Sequence, residues 1–478
     1  MKDYAGTEAR DANEDTRSER SALLGPSPSD SGVESVKKRD GHATLTSSVS
    51  NLANTIIGSG MLTFPRALAS AGIIPGIITC LFSGGVAAFG LHLLSICARH
   101  APHRRASFFA VAELTFPRAA VFFDAAIAIK CFGVSISYLI IIKSLVPSVV
   151  QSLYHDIGHG AVPPEWTLNG RIWITLLMFI LVPLCFMRHL HSLRHTSYVA
   201  LFSVAYLVLI VIVVYFHPLE NMPPRGDVYL AHWSTDFIST FPVQVFAFTC
   251  AQNLFPIFNE VQTNSQARMN TIVGSAIGSA TITYEVIAVF GYLTFGSNVG
   301  ANIIAMYPST SLFVAVGQLA IAILVLFSYP LQVHPCRNCL DKVFSFGSSV
   351  EKGKLASAQD DEDEDDESVT DADHSGGEMS VAKHTALTSL IVAGGFTIAY
   401  FVDNLEMVLS FVGATGSTTI SFILPGLFYW QMHRGDPTAS KGMTRAALAL
   451  ACYGGCILVF CLSFNIYKIA SGSGPAGH

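Results

Sequence analysis

Charge is what this chain has least of. Asp, Glu, Lys and Arg together make up 13% of its 478 residues, where a soluble domain carries about 25%. That scarcity excludes an ordinary soluble fold, and a hydrophobic content of 51% with a mean hydropathy of +0.47 agrees. No Asp, Glu, Lys or Arg occurs between residues 67 and 98, a stretch long enough to cross a hydrocarbon core of about 30 Å. The chain reads as an all-α polytopic membrane protein whose first partner is the lipid bilayer. Cysteine is absent from the loops expected on the far side. Cys80, Cys97, Cys131, Cys185, Cys250, Cys452, Cys456 and Cys461 fall within apolar spans, and Cys336 and Cys339 sit just after one. That placement argues against a disulfide framework. No cleavable signal peptide is visible ahead of the first long apolar run, near Leu45. There is no phosphate-binding loop and no Ser/His/Asp arrangement, so neither an enzyme nor a nucleic-acid binder is expected, and no cofactor beyond a coupling ion.

Apolar spans fall at 45–68, 73–98, 121–149, 171–189, 196–216, 236–257, 271–295, 311–334, 384–402, 405–430 and 444–467. That pattern gives eleven. The short loops alternate in charge. Lys37, Lys38 and Arg39 precede span one, and Arg99, Arg104, Arg105 and Arg118 follow span two. Arg188 and Arg194, Arg268, Arg337 and Lys342, then Arg434 and Lys441 follow spans four, six, eight and ten. The opposite loops hold only Arg171 and Arg225, with Lys468 at the far end. The bias places the N-terminus in the cytosol. Residues 1–43 form a polar tail expected to be disordered. Residues 346–382 form a loop whose acidic block, Gln359 to Glu367, cannot pack and reads as cytosolic and solvating. It dominates the net charge of −6.

Span one carries a polar, glycine-bearing break halfway across, Asn54-Thr55-Ile56-Ile57-Gly58-Ser59-Gly60. In hydrocarbon every backbone N–H and C=O must be paired, so a broken helix is tolerated only where the freed groups line a cavity or bind something. Gly58 and Gly60 remove the side chains that would block such an approach. Span six has the same grammar, with Phe248, Thr249, Cys250, Gln252 and Asn253 at mid-depth and Pro256 beyond. The breaks lie five spans apart, so 44–216 and 236–430 are expected to be inverted halves, with span eleven at 443–470. Paired interruptions in matching positions mark a transporter site at the midplane. Half-helix N-termini present N–H groups to a carboxylate, and unwound carbonyls receive an ammonium. An amino acid zwitterion fits both. Thr55, Ile57, Gly58, Ser59, Gly60, Phe248, Thr249, Cys250, Gln252 and Asn253 are the candidate substrate residues. The absence of fixed charge in either break favours neutral substrates.

Four motifs, Asn51 to Pro65, Phe246 to Glu260, Phe290 to Gly296 and Phe327 to Arg337, resemble the amino acid/auxin permease family. The fungal vacuolar and the sodium-coupled neutral amino acid transporter branches are the most similar. The resemblance spans Leu45 to Trp430 and implies secondary active amino acid transport by eleven spans in a LeuT-like 5+5 arrangement. It also implies a coupling site at Asn54 and Ser328, where an amide oxygen, a hydroxyl and unwound carbonyls form a small oxygen cage.

Lys130, Glu285 and Lys143 are ionisable groups inside apolar spans, and such groups are functional candidates by default. Glu285 is a candidate proton carrier or, alternatively, the partner of Lys130 in a buried ion pair. Lys143 and Arg66 are expected to reach an interface. Cys336 and Cys339 have the spacing of a metal knuckle, but with only His334 nearby they read as helix-end packing. His189, His191 and His195 read as a solvated loop face. Glu19, Leu23 and Leu24 in the tail resemble an acidic dileucine sorting signal that an adaptor would read. The expected function is proton-coupled transport across a vacuolar, lysosome-like membrane toward the cytosol. The alternatives are a plasma-membrane Na⁺-coupled importer of neutral amino acids, and an amino acid sensor signalling through its cytosolic tail.

Overall fold

The two expected breaks are where the backbone departs from helix. The computed structural model describes residues 41–102, 104–117, 120–156, 163–187, 196–356 and 379–471. Helix α1, Leu45–Ile56, starts where the Thr44 hydroxyl accepts from the Ser47 N–H at 3.2 Å. It stops at Ile57, Gly58 is extended, and a 3₁₀ turn, Ser59–Thr63, leads into α2, Phe64–Ala71. Pro65 sits in the first turn of α2, where its missing N–H costs nothing. Gly72, at φ 87°, ends α2. It must be glycine for a second reason: a Cβ there would lie 2.7 Å from the Ala231 backbone. The second broken helix is α8, Phe237–Ala247, followed after Phe248–Cys250 by α9, Ala251–Glu260.

In chain order the other helices are α3 (Ile73–Ala98), the short α4 (Phe108–Glu113), α5 (Ala120–Asp156), α6 (Gly170–Phe186) and α7 (Thr196–Phe216). After α9 come α10 (Gln266–Phe295), α11 (Leu312–Ala356), α12 (Val381–Phe401), α13 (Leu405–Val412), α14 (Leu424–His433) and α15 (Lys441–Ala470). Two π turns, Gly413–Ser417 and Thr419–Ile423, join α13 to α14. Among the described residues, nine helical stretches are long and apolar enough to cross a membrane, the α8–α9 stretch counting as one. Expected spans one and four, which fall on the broken stretch α1–α2 and on the shorter apolar α6, are not among those nine. The expected acidic loop begins later than residue 346, because α11 continues to Ala356. The remainder of that loop, the tail with Glu19, Leu23 and Leu24, and the histidines 189, 191 and 195 lie outside the described residues.

Helix α10 packs against α1, α2 and α3, while α11 runs along α5 and α13 packs on α8. The broken helices are therefore held at the centre. Large apolar side chains such as Phe179, Leu201 and Phe460 point outward and are exposed, as a lipid-facing surface requires. The chain entering α1 is tied to the end of α9 by backbone bonds from Ala43 N–H to Glu260 and from Gln262 N–H to Ala43. Arg104 closes the same corner, donating to the carbonyls of Asn259, Val261 and Gln262 at 2.7–2.9 Å. These carbonyls end α9 and would otherwise lack partners.

Candidate functional site

Neither half-helix that begins at a break has a side-chain cap at its N-terminus. By contrast α1, α6, α10, α12 and α13 are each capped by a Ser, Thr or Asn. Uncapped N-termini carry free N–H groups and the positive end of the helix dipole. The two breaks also touch. A Cβ on Gly60 would lie 2.7 Å from Ala247 Cβ and 2.9 Å from its Cα, so glycine here permits the contact. Gly58 differs: a Cβ there meets nothing nearer than 3.9 Å and would project into open space.

Tyr284, on α10, links the breaks from behind. Its hydroxyl is 2.6 Å from the Ile56 carbonyl and 3.0 Å from the Ala247 carbonyl, the last helical residue before each break. One O–H serves two carbonyls freed by unwinding. The ring is fully buried, stacked on Phe64 at 4.6 Å, with Phe248 edge-on at 5.2 Å. Sequence reasoning passed over Tyr284, because a hydroxyl whose partners are backbone carbonyls in two distant spans leaves no pattern in the chain.

A cavity of about 460 Å³ opens beside the breaks. Its walls include Asn54, Thr55, Ile57, Gly58, Ser59 and Gly60 from the first break, and Thr249, Gln252 and Asn253 from the second. Asn253 Nδ2 donates to Thr55 Oγ1 at 2.5 Å, joining the two sets. The hydroxyl of Ser59 and the side-chain oxygen of Gln252 are buried without a partner among the described residues. Such groups cost free energy unless something bound satisfies them. Phe248 and Cys250 are not among the lining residues; Phe248 packs instead against Phe64 and Tyr284. Thr249 donates to the Val245 carbonyl at 2.9 Å and is reached by Ser421 from the second π turn.

Asn54 and Ser328 both line the cavity, and the Ser328 hydroxyl donates to Leu324 within its own helix at 2.7 Å. Lys130 lines it as well, from α5. Glu285 does not. Its carboxyl lies beside the Cys80 thiol of α3, and neither oxygen has another partner among the described residues. The expected Glu285–Lys130 ion pair is absent among the described residues. The reason is placement: the two side chains meet different neighbours, one on α3 and the other at the cavity wall. Lys143 does not snorkel either. It is buried, pairs with Asp403 at 2.7 Å, and donates to the carbonyls of Ala399 and Val402 at the C-terminus of α12. A cation at that helix end is favoured by the dipole. Cys336 donates its S–H to the Ala128 carbonyl at 3.4 Å.

On the far side of the breaks a second cavity, about 340 Å³, has Arg66, Asp403 and Glu406 in its wall. There Arg66 pairs with Glu406 at 3.4 Å and with Asp236 at 3.3 Å. Lys468 of α15 adds a bond to Asp236 at 2.9 Å. Arg66 is thus a cross-link between α2, α8 and α13 rather than an interface anchor.

The architecture has solved counterparts. A structure described as MhsT in complex with L-phenylalanine superposes with a TM-score of 0.52, covering 89% of this chain and 99% of that one at 11% identity. The likeness establishes a LeuT-like fold. Among curated proteins, vacuolar amino acid transporter 5 of Schizosaccharomyces pombe is 41% identical over 94% of this chain and 100% of its own length. Vacuolar amino acid transporters 5 and 6 of Saccharomyces cerevisiae are each 35% identical, over 89% and 88% of this chain and 98% of their own lengths. Residues 41–468 match the family described as transmembrane amino acid transporter protein. On that match and those identities, this chain belongs to the transmembrane amino acid transporter family.

Proposed function

We propose that this chain is a proton-coupled transporter that moves amino acids out of an acidic, vacuole-like compartment toward the cytosol. Amino acid transport is the activity of its family, and the vacuolar assignment follows its relatives, which are named vacuolar amino acid transporters. The observation that carries the mechanism is one cavity faced by two uncapped half-helices. Their N–H groups suit an α-carboxylate, and the unwound carbonyls of the first break suit an α-ammonium. The cavity lies on the α1 side of the breaks, and Arg66, Asp236 and Glu406 close the other side. With the N-terminus in the cytosol, this is a cytosol-facing state. Glu285 is the proton carrier in this reading, since an ionisable group without a charged partner in a span is costly unless used. The tail motif Glu19, Leu23, Leu24 would direct the protein through a sorting adaptor.

A Na⁺-coupled reading keeps one observation in its favour: Asn54 and Ser328 line the same cavity as the substrate residues. Purified protein in liposomes under an imposed pH gradient or an imposed Na⁺ gradient separates the two. Uptake driven by the pH gradient without Na⁺ is expected. Stimulation by Na⁺ alone contradicts proton coupling. A sensor would keep transport but lose signalling when residues 1–42 are deleted.

A further inference from the structure

We propose that Lys130 selects substrates with an acidic side chain, its ammonium serving as the counter-charge for a second carboxylate in the cavity. This deepens the amino acid transport reading and rests on it. Lys130 is 5% exposed. Among the described residues it is the only Asp, Glu, Lys or Arg in the cavity wall. Among the described residues, no ion pair joins it to a carboxylate. A buried ammonium without a counter-charge is costly, and proteins retain one where something pairs with it. Expecting neutral substrates rests on the breaks alone, and Lys130 lies outside both, on α5.

The position is also fixed. Gly416, in the first π turn, packs so closely on α5 that a Cβ there would lie 2.8 Å from Lys130 Cβ and 2.9 Å from its backbone nitrogen. The stem is held against that turn, while the residue still reaches the cavity wall. Tyr138 on α5 and Gln332 on α11 line the same cavity and add neutral donors. The breaks match the two charges common to every amino acid. That leaves the side chain toward the α5 and α11 walls, where Lys130 is the one fixed charge. A side-chain carboxylate placed there removes the cost of two isolated charges at once, and its interaction is strengthened by the low dielectric. A neutral side chain of equal shape leaves Lys130 unpaired. Discrimination of this kind is large because the penalty falls on a buried group left without its partner.

Glutamate and glutamine differ in charge and hardly in shape, so they are the probes. Uptake of each, labelled, is measured at pH 7 in proteoliposomes holding the full chain. Wild-type protein is expected to favour glutamate at least tenfold in kcat/KM. Lys130→Met should lower that ratio at least tenfold, and Lys130→Arg should keep most of it. Equal loss of both substrates in Lys130→Met would assign Lys130 to the shared zwitterion or to packing, and overturns the proposal. Wild-type uptake of glutamine without preference for glutamate also overturns it, and needs no variant to fold. That outcome leaves the transport reading intact, whereas uptake of no amino acid would overturn both.

Discussion

The two helix breaks look alike in sequence and are built differently. At the first, residues 54–60 face the cavity almost continuously, because small residues and an extended Gly58 leave the backbone bare. At the second, Phe248 and Cys250 turn into the core, while Phe246, Ala247, Thr249, Gln252 and Asn253 reach the cavity. The first break is therefore a backbone surface. The second is a set of side chains backed by an aromatic wedge of Phe64, Phe248 and Tyr284. Under the proposed transport mechanism the difference predicts separate emphasis: both breaks meet the charges all substrates share, and the side chains of the second add to the preference set at Lys130.

The glycines of the first break give the largest expected effects and break that comparison if they fail. Gly60→Val forces a side chain into Ala247 backbone atoms 2.9 Å away. Overpacking of that kind costs about 1–3 kcal/mol or more, so protein abundance should fall together with transport. Gly58→Val meets no such obstacle. It should reach its membrane at normal levels yet lose transport, because the side chain fills the bare backbone surface. Immunoblots of membranes beside uptake assays distinguish the two.

The closure at Arg66 comes next. Glu406→Gln removes one partner of Arg66 and leaves Asp236 to hold it. The closed side should open more often, and a cysteine introduced at Asn302 in the wall of the second cavity should react faster with a charged thiol reagent added from that side. An unchanged rate would show that the ion pairs do not control access.

Tyr284→Phe tests whether the aromatic wedge couples the breaks. It keeps the ring stacking but removes the hydroxyl from Ile56 and Ala247. One hydrogen bond is worth about 1 kcal/mol. Turnover should fall about fivefold with little change in KM, since the hydroxyl lies behind the site. An equal rise in KM would place Tyr284 at the substrate instead.

The smallest effect belongs to the second break. Asn253→Ala frees Thr55 from its 2.5 Å partner, and a few-fold change in the ratio of KM values between two substrates is expected. Uniform change across substrates would erase the division of roles between the breaks.

Much of this was legible in the chain. Spans, loop charges and both breaks follow from hydropathy and from the rule that backbone in hydrocarbon must be paired. What stayed hidden was any relation between residues far apart. Arg66 meets Asp236 and Glu406 across 170 and 340 positions of sequence, and a lone arginine after a span gives no sign of either. Lys130 and Glu285 looked like a pair only because both are charged in apolar surroundings. Facing direction in an unwound segment was equally hidden. Helical periodicity ends at Ala247, so nothing in the sequence tells that Thr249 faces the cavity while Phe248 and Cys250 do not.

Val134 provides the most direct test, because it lines the same cavity from α5 and belongs to neither break. Val134→Cys is labelled with a small, membrane-impermeant thiol reagent applied from the cytosolic side of the proposed orientation, and wild-type protein reports labelling of the native cysteines. If the cavity between the breaks is the amino acid path, the introduced thiol reacts from that side and a transported amino acid slows the reaction severalfold. Labelling at the same rate with and without saturating substrate would contradict the account.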